Sequence, residues 1–277
     1  MVDADPQCNL TELVINPLHS DDSVHTKVQG QDNIYSALDP VYNARPKQLE
    51  PVNCGQDNLF LLPGHPGFAE YENTLSIAHQ LSETLGPVRN VPGSLHRLIN
   101  LTAAQYKIDY VFIDVSPSLG ALNQNIVTTS NRLIVPLCPD LFSGQAIDTL
   151  SRTLPKWVEW AKRASQLDIL KDADYPFPEP SLKFTGYIIQ RYKLRNNSPT
   201  QAFKEFFNDL KRRINDKLIP SLAKGELIKD ATLGAEDFLL AQIPEFNTLI
   251  AASQGTGKPV FALSQADTGH SGTVWDN

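Results

Sequence analysis

The chain has 277 residues, of which 41% are hydrophobic, and it carries a net charge of −7. This is enough apolar material for one large domain, with two domains as the weaker alternative, and the acidic balance by itself argues against a nucleic-acid-binding protein. The three cysteines fit neither a disulfide framework nor a C-x-x-C metal site, so a reducing cytosol is expected. No apolar run approaches the ~18 residues of a membrane span, and the polar N-terminus does not read as a signal peptide.

In the first third of the chain, apolar spacing predicts four elements before residue 110. Ile34–Leu38 is a short helix candidate, with Asp32 as a possible N-cap. Residues 58–63, NLFLLP, read as a buried strand, and residues 95–101 as the helix that precedes the next strand. Residues 75–85 fit an amphipathic helix whose predicted core face is Ile77, Leu81 and Leu85.

Two acidic stretches occupy predicted strand ends. Residues 1–11 read MVDADPQCNLT, with Asp3 and Asp5 on either side of a small residue. Residues 110–120 read YVFIDVSPSLG, an apolar run that ends at Asp114 before helix-opening turn residues. Such a run predicts a strand buried on both faces of a parallel sheet. A carboxylate at the end of such a strand lies where α/β sheets bind ligands and where phosphate-handling folds hold Mg²⁺. The alternative interpretation is a strand that ends in a solvated aspartate without a function.

The middle of the chain predicts two more buried strands, at residues 131–136 and 183–190. Between them we expect a helix packed on the sheet, and the proline-rich residues 168–180 read as an inserted polar loop. Phe142, Ile147 and Leu150 are expected to pack this helix on the sheet. Trp157 and Trp160, on a further helix, are expected to be core residues rather than to stack on a ligand.

A basic amphipathic helix follows. Ser198 is the predicted N-cap and Pro199 the first helical residue. The apolar positions recur at three- and four-residue spacing: Phe203, Phe206, Phe207, Leu210, Ile214 and Leu218. Residues 183–229 contain eleven Lys/Arg against four Asp/Glu, a net charge of +7. A basic stripe within an acidic protein is the footprint of a phosphate-backbone binder, with an ordinary solvated helix face as the alternative.

The end of the chain predicts a strand up to Ile243–Pro244, a helix, and a last short strand after the turn at residues 255–259. Residues 265–277 read as a polar tail. It is not a basic amphipathic helix, which disfavours membrane targeting. We therefore predict one domain at residues 1–264 with a C-terminal tail at 265–277.

The two acidic stretches resemble the ParA-type partition ATPases, in the deviant Walker P-loop group. Residues 3–11 are similar to that family's first switch, D-x-D-P-Q-x-N-L-T, and residues 111–120 to its Walker B strand. The resemblance extends over about residues 1–261. It implies a doubly wound α/β fold with a mostly parallel sheet and helices on both faces, in a bacterial cytoplasm and associated with the nucleoid.

The resemblance also implies roles for particular residues. Asp5 would orient the attacking water and contact the Mg²⁺ shell, Asp114 would hold Mg²⁺ through water, and Asp3 would support the switch near the metal. The ATP base would lie near Gln190, Arg191 and Pro244, although Gln190 and Arg191 replace the family's Thr-Met. The family further implies a homodimer, a ParB-like partner and non-specific DNA, contacted here by Arg191, Lys193, Arg195, Lys204, Lys211, Arg212 and Arg213.

One part of the family pattern is not found in the sequence. In the family, a strand, a K-G-G-x-G-K-[ST] phosphate loop and a helix precede the first switch, whereas this sequence contains no G-x-x-x-x-G-K-[ST]. Residues 255–258, GTGK, lack the leading strand and are followed by Pro259. We therefore expect an open edge beside the Walker B strand and negligible ATP hydrolysis, either because Met1 is a misassigned start or because the chain is truncated.

Two functions remain open from the sequence. The first is a partition ATPase in which ATP and Mg²⁺ drive dimerisation and DNA binding. The second is a non-catalytic relative that binds DNA or a protein through the basic stripe. Nitrogenase-type iron proteins and cobyrinic-acid-type amidotransferases are excluded, because the cysteines do not suit a cluster and no length remains for a glutaminase domain.

Overall fold

The computed structural model describes residues 1–15, 28–38, 46–54, 57–81, 88–195, 198–199, 201–230 and 232–269. The chain falls into two compact units. Unit 1 comprises Met1–Ile126, Leu167–Phe177 and Asn247–Asn277, and unit 2 comprises Val127–Gln166 and Pro178–Phe246. The domain boundary predicted at residue 264 stays a prediction.

The described residues of unit 1 include four short strands and several helices. The strands are β1 (Val2–Asp3), β2 (Val52–Asn53), β3 (Phe60–Leu61) and β4 (Ile113–Asp114). The helices are α1 (Asn9–Val14), α2 (Ile34–Leu38), α3 (Phe68–Leu81), α4 (Val91–Gln105) and α5 (Ala121–Thr129), the last of which continues into unit 2. The predicted helix at Ile34–Leu38 and the strand ends at Asp3 and Asp114 are confirmed.

Strands β1 and β4 run parallel and in register. Val2 lies opposite Ile113, and Asp3 lies opposite Asp114. The Val2 N–H donates to the Phe112 carbonyl at 2.8 Å, which extends the pairing one residue before β4. The prediction that this strand is buried on both faces is wrong. Tyr110 is 81% exposed and Phe112 is 66% exposed. Among the described strands, β4 pairs only with β1.

Helix α3 buries a different face from the one predicted. Its buried residues are Phe68, Tyr71, Leu75 and Ala78, whereas Ile77 is 49% exposed. The helix begins at Phe68, and its buried residues recur at three- and four-residue spacing in a stripe that excludes Ile77. The side chain of Leu81 lies outside the described residues. Leu85 lies outside the described residues. In α4, Leu95, Leu98 and Ile99 are buried as predicted.

Residues 167–177 belong to unit 1 rather than forming a detached polar loop. The Asn90 side chain accepts a hydrogen bond from the Asp174 N–H at 2.9 Å and donates to the Asp174 carboxylate at 3.1 Å. Gly93 sits so close to this segment that a Cβ there would lie 2.0 Å from the Tyr175 carbonyl oxygen. Tyr175 and Phe177 are buried. The segment therefore packs as part of the core of unit 1.

Unit 2 is built on a three-stranded parallel sheet. Its strands, in spatial order, are β5 (Arg132–Leu137), β6 (Lys183–Tyr192) and β9 (Leu239–Pro244). These strands and the β1–β4 pair confirm the predicted α/β fold with mostly parallel strands. At Gly186 the neighbouring strand comes very close, because an added Cβ would lie 2.4 Å from the Phe238 carbonyl oxygen.

Helices cover this sheet with a shared apolar core. Helix α6 (Leu141–Ala164) is capped by Asp140, whose carboxylate accepts the Ser143 N–H at 2.7 Å. Helix α7 (Asp168–Lys171) is in unit 1, and α8 (Gln201–Arg213) leads through π-helical residues Ile214–Leu218 into α9 (Ile219–Lys224). Core residues include the predicted Ile147, Trp157, Phe207, Leu210, Ile214 and Leu218.

The burial predicted for four other aromatic or aliphatic residues of these helices is not complete. Phe142 is 76% exposed and Phe206 is 37% exposed. Leu150 and Trp160 are half-buried, with Leu150 packed against the edge of the core. Phe142 lies in the first turn of α6, next to the end of β5, where no described strand continues the sheet beneath it.

The predicted start of the basic helix is wrong. Ser198–Pro199 form a two-residue strand, β8, that pairs antiparallel with β7 (Leu194–Arg195), and the helix begins at Gln201. Arg191 has a left-handed backbone with φ of 60°, which turns the chain before this ribbon. A proline is tolerated here because a two-residue edge strand needs few ladder hydrogen bonds.

The expected last strand is also wrong. After α10 (Leu249–Thr256), Gly257 adopts a left-handed conformation, and Val260–Ala262 form a 3₁₀ turn instead of a strand. A short helix, α11 (Gln265–Thr268), follows, where the Ser264 hydroxyl and the Asp267 carboxylate form a capping box. Among the described residues, no helix is both long and apolar enough to cross a membrane.

Candidate functional site

The predicted metal and switch residues Asp3, Asp5 and Asp114 come together in unit 1. The pairing of β1 with β4 places Asp3 directly opposite Asp114. The Ala4 N–H donates to the Asp114 carbonyl at 2.9 Å, so Asp5 follows immediately beyond the paired ends. Two parallel strands thus deliver three carboxylates to their C-terminal end, the usual location of ligand sites in such sheets.

Asp3 is the buried anchor of this cluster. Its side chain is fully buried, and its carboxylate accepts the Thr11 N–H at 2.7 Å and the Asp5 N–H at 3.3 Å. The Thr11 hydroxyl in turn accepts the Gly64 N–H at 2.8 Å. A buried carboxylate with backbone donors is well satisfied, so Asp3 holds the turn between β1 and α1. The sequence reasoning missed Thr11, although it is the last residue of the first motif.

The turn itself is tight. The Asp5 carboxylate accepts the Gln7 N–H at 3.0 Å, and the Cys8 N–H donates to the Asp5 carbonyl at 2.9 Å. Cys8 has a left-handed backbone with φ of 55°, at the start of α1. Burial, together with the charges of Asp3, Asp5 and Glu12, raises the pKa of the Cys8 thiol to about 12. This thiol therefore stays protonated and is a poor nucleophile.

The electrostatic state of Asp114 reflects its neighbours. Its pKa is raised above the usual range by partial desolvation first and then by the negative charges of Asp3 and Asp5, against a hydrogen bond from the Val115 backbone. The residue is nevertheless solvent-exposed, so water screens this effect. A raised carboxylate pKa among like charges marks a place that a cation would stabilise.

The residues present suit a hydrated divalent cation better than a phosphate. Carboxylate oxygens and retained waters are the usual environment of Mg²⁺. Within the described ranges, however, no group of three or more His, Cys, Asp or Glu side chains converges tightly enough to hold a metal directly. Contacts through water, as expected for Asp114, fit this spacing. The same carboxylates would repel a triphosphate, so they do not fit ATP phosphates by themselves.

Unit 2 brings together the three residues predicted near the nucleotide base. Gln190 lies opposite Ile243 in the β6–β9 pair, and Tyr192 lies opposite Pro244. The register shifts between these two pairs, where Arg191 adopts its left-handed backbone. Gln190, Arg191 and Pro244 therefore lie at the C-terminal ends of two adjacent parallel strands. They are in a different unit from the three carboxylates.

The predicted DNA-contacting residues divide into two groups. Three of these residues are ion-paired. Lys211 pairs with Glu236, and Arg212 pairs with Asp209. Arg213 pairs with both Asp209 and Asp148. Arg191, Lys193 and Lys204 are exposed, and none of them takes part in an ion pair with another described residue. For Arg195 the structure gives only its backbone pairing with Ser198.

Arg213 has a structural role within unit 2. Its guanidinium donates to Asp209 on the same helix at 2.7 Å and to Asp148 on α6 at 2.6 Å. Lys217 also donates to Asp148, at 2.8 Å. This network joins α8 to α6 and neutralises part of the basic stripe.

The GTGK sequence is not a phosphate loop. Gly255 is inside α10, and Gly257 caps that helix in a left-handed conformation. The Lys258 ammonium is bound by the Asp267 carboxylate at 2.7 Å and 2.9 Å. A phosphate-binding loop would instead present free backbone N–H groups and a free lysine before a helix.

Parallel strands flanked by helices, with acidic residues at the ends of β1 and β4, define an α/β protein with a candidate ligand site at its strand ends. A family model described as an AAA domain, AAA_31, matches residues 1–168. The chain belongs to this family, and ParA-type chromosome partitioning proteins are among its curated relatives.

Named relatives agree with this placement. The chromosome partitioning protein ParA of Myxococcus xanthus is 25% identical over 197 residues, which cover 69% of this chain and 57% of the relative. A second relative, from Methanocaldococcus jannaschii, is 23% identical, with 66% of its length covered. The chain thus spans less than two thirds of these curated relatives.

Solved structures show the same fold. A protein from Corynebacterium diphtheriae superposes with a TM-score of 0.61 at 20% identity, covering 88% of this chain and 81% of that one. The ATP complex of a McdA variant from Cyanothece superposes with a TM-score of 0.56 at 16% identity, covering 96% and 79%. At these identities the likeness concerns the fold alone.

Proposed function

We propose that this chain provides the magnesium- and water-binding side of a ParA-type partition ATPase site. The observation that carries the proposal is the convergence of Asp3, Asp5 and Asp114 at the paired ends of β1 and β4. Asp114 holds the cation through water, Asp5 orients the attacking water, and Asp3 fixes the turn that carries Asp5. When bound, Mg²⁺ supplies charge neutralisation for phosphoryl transfer.

The phosphates of ATP need partners that this chain's site does not offer. The sequence has no G-x-x-x-x-G-K-[ST] loop, and the charges acting on the Asp114 carboxyl are those of Asp3 and Asp5. We therefore expect the 277-residue chain alone to hydrolyse ATP negligibly. Robust turnover that disappears in an Asp114→Ala variant would contradict this expectation.

Metal binding can be tested with Mn²⁺ in place of Mg²⁺, followed by electron paramagnetic resonance. We expect Asp114→Asn and Asp5→Asn each to weaken Mn²⁺ binding by about tenfold or more, since each removes one charge from the site. Asp216→Asn, at an exposed position of unit 2, is the matched control and should leave binding unchanged. Equal weakening in all three variants would refute the assignment, as would no weakening in the first two.

We also propose that the assembled protein is a cytoplasmic homodimer that binds DNA without sequence preference and works with a ParB-like partner. The support is the family, the partitioning role named for the Myxococcus relative, and the net charge of +7 in residues 183–229. Because Lys211, Arg212 and Arg213 are already ion-paired, the exposed Arg191, Lys193 and Lys204 should make the main phosphate contacts.

Substitutions can separate binding from stability on this surface. Lys193→Glu and Lys204→Glu should each weaken DNA binding several-fold and lower the salt dependence by about one phosphate contact, without changing the Tm. Arg213→Ala should lower the Tm, because it leaves Asp148 and Asp209 without their shared partner.

The matched control for this surface is Lys171→Glu, an exposed lysine of unit 1. Fluorescence anisotropy with labelled duplex DNA at several salt concentrations measures the DNA affinity and its salt dependence. If Lys171→Glu weakens binding as much as Lys204→Glu does, the attraction is due to net charge and not to this surface.

A further inference from the structure

A groove of about 520 Å³ lies in unit 2 between helices α6 and α9. Residues within 151–162 of α6 line one side, and residues within 221–226, which include the end of α9, line the other. It is called the α6–α9 groove below. None of the residues predicted to bind metal, nucleotide or DNA lines it, so the functions proposed above leave this groove without a role.

A proline inside α6 helps to build the groove. Pro155 has no N–H, so the Ser151 carbonyl lacks the partner that a helix normally supplies four residues later. The Ser221 hydroxyl of α9 donates to this carbonyl instead. Just after α9, an added Cβ at Gly225 would lie 3.3 Å from the Pro155 Cβ, so the two segments approach closely. The sides of the groove are therefore held together by contacts that do not involve its charged side chains.

The charges along the groove follow a definite order. Arg152, Lys156 and Glu159 lie on one face of α6 at four- and three-residue spacing, and all three are exposed. Lys224 adds an exposed cation from the other side. The ion pairs found among the described residues include none of these four. Along α6 the order is positive, positive, negative.

The remaining charges that line the groove neutralise each other. The Lys162 ammonium donates to the Glu226 carboxylate at 2.6 Å, and the Lys183 ammonium donates to the Glu226 carbonyl at 2.6 Å. The hydrogen bond from Lys162, together with the nearby charge of Lys183, lowers the pKa of the Glu226 carboxyl. Glu226 is therefore a compensated anion, and the four residues without ion pairs determine what the groove attracts.

The order of charges favours a peptide over a nucleic acid. A phosphate backbone is uniformly negative, so Glu159 would repel it within the groove. In an extended peptide, alternate side chains lie on one face about 6.6 Å apart. This matches Arg152 and Lys156, which are about 6 Å apart along the axis of α6. The groove also lies beside Lys183 at the start of β6, whereas Arg191, a proposed DNA contact, lies near the end of that strand.

We propose that the α6–α9 groove binds an extended acidic segment of a partner protein, with two carboxylates at alternate residues and a lysine two residues further along. The carboxylates pair with Arg152 and Lys156, Lys224 attracts them from the other side, and the lysine pairs with Glu159. Because each pair is exposed to water, the order of charges selects the partner more than it adds affinity. The inference requires neither metal, nucleotide nor DNA, so it can fail or succeed independently of the proposed partition ATPase.

The test uses the full chain and a short serine peptide, labelled with a neutral dye, that carries two glutamates and one lysine at alternate positions. A second peptide has a third glutamate in place of the lysine. Both are also made in reverse order, because the charges alone do not fix the direction of the backbone. By fluorescence anisotropy at low salt, the lysine peptide should bind saturably in one order, about fivefold more tightly than the glutamate peptide. Net charge alone predicts the opposite, since the glutamate peptide is more negative.

Charge reversals in the protein test the individual contacts. Glu159→Lys should invert the preference, so that the glutamate peptide binds about fivefold more tightly than the lysine peptide. Because this preference is a ratio measured on one protein, it does not depend on how much of the variant is folded. Lys156→Glu should weaken binding of the lysine peptide about tenfold. Lys171→Glu, the same charge change on an exposed residue of unit 1, should stay within about twofold of the wild type.

Four results would overturn the proposal. Absence of saturable binding in either order at low salt would refute it directly. Tighter binding of the glutamate peptide to the wild type would mean attraction by net charge. An unchanged preference in Glu159→Lys would remove the order of charges from the recognition. A loss of duplex DNA affinity in Lys156→Glu as large as its loss of peptide affinity would show that the groove belongs to a nucleic-acid surface instead.

Discussion

Replacement of Gly186 by alanine is expected to lower the free energy of unfolding by about 3 kcal/mol. The new Cβ would lie 2.4 Å from the Phe238 carbonyl oxygen and 2.8 Å from the Leu240 side chain. The backbone oxygen cannot move away without disturbing the pairing of β6 with β9. The φ of +155° adds strain for any residue with a side chain. Urea unfolding followed by circular dichroism measures this loss.

Gly255→Ala is the matched control for this experiment. Gly255 lies in α10, and an alanine methyl group there would have no described heavy atom within 4 Å apart from its chain neighbours and the backbone of its own helix. Alanine in a helix is favoured over glycine by about 0.5–1 kcal/mol, so this variant should be slightly more stable than the wild type. If Gly186→Ala proved as harmless as Gly255→Ala, the close approach of β9 to β6 would be contradicted.

The second large effect is a loss of stability in mild acid that depends on His79. Desolvation lowers the pKa of this imidazole from 6.5 to about 4. The unfolded chain takes up a proton below about pH 6.5, while the folded chain resists protonation until about pH 4. The free energy of unfolding is therefore unaffected by His79 at neutral pH and falls as the pH drops from about 6.5 to about 4. At pH 4 the loss is about 3 kcal/mol.

Comparison with His79→Gln isolates this contribution. The variant has no titrating imidazole, so the difference in unfolding free energy between pH 7 and pH 4 should be about 3 kcal/mol smaller than in the wild type. His96→Gln is the control, since that ring lies at the surface beside Asn100. An identical pH dependence in the wild type and His79→Gln would show that the protonated imidazole is tolerated in the folded state.

Sequence patterns within a few residues correctly predicted several helices and strands. The strand ends at Asp3 and Asp114, the helix at Ile34–Leu38 and the strands of unit 2 followed from apolar runs and breaker residues. Each of these signals lies within a few residues of the element that it predicts. The family motifs then gave the identity of the group to which the chain belongs.

Elements that depend on distant contacts were not predictable in this way. Ser198 and Pro199 have a helix-start composition, but the turn at Arg191 and the pairing with Leu194 place them in a ribbon. Residues 168–180 were predicted as an inserted polar loop, yet hydrogen bonds to Asn90 hold Asp174 in unit 1, to which residues 167–177 belong. Tertiary pairing overrode local propensity in both places.

The candidate site was predicted only in part. The resemblance implied that the three carboxylates share a metal site, but it did not predict the pairing of β1 with β4 that brings them together. The basic residues Lys211, Arg212 and Arg213 looked equivalent to Lys204 in sequence, but acidic partners on α6, α8 and the segment before β9 distinguish them. Such pairs join residues up to 65 positions apart, a separation that charge counting within a window does not detect.

The division of the chain into interleaved units has a consequence for its synthesis. Unit 1 is assembled from three separate stretches, the last of which begins at Asn247, and unit 2 needs residues as late as Phe246. Neither unit is therefore complete until Phe246 and the stretch that begins at Asn247 have left the ribosome. The apolar side chains of Ile147 and Leu154 stay uncovered until Leu210 and Leu218 of the same core have been synthesised. Apolar core surface is therefore exposed during translation, when chaperone binding would protect the unfinished chain from aggregation.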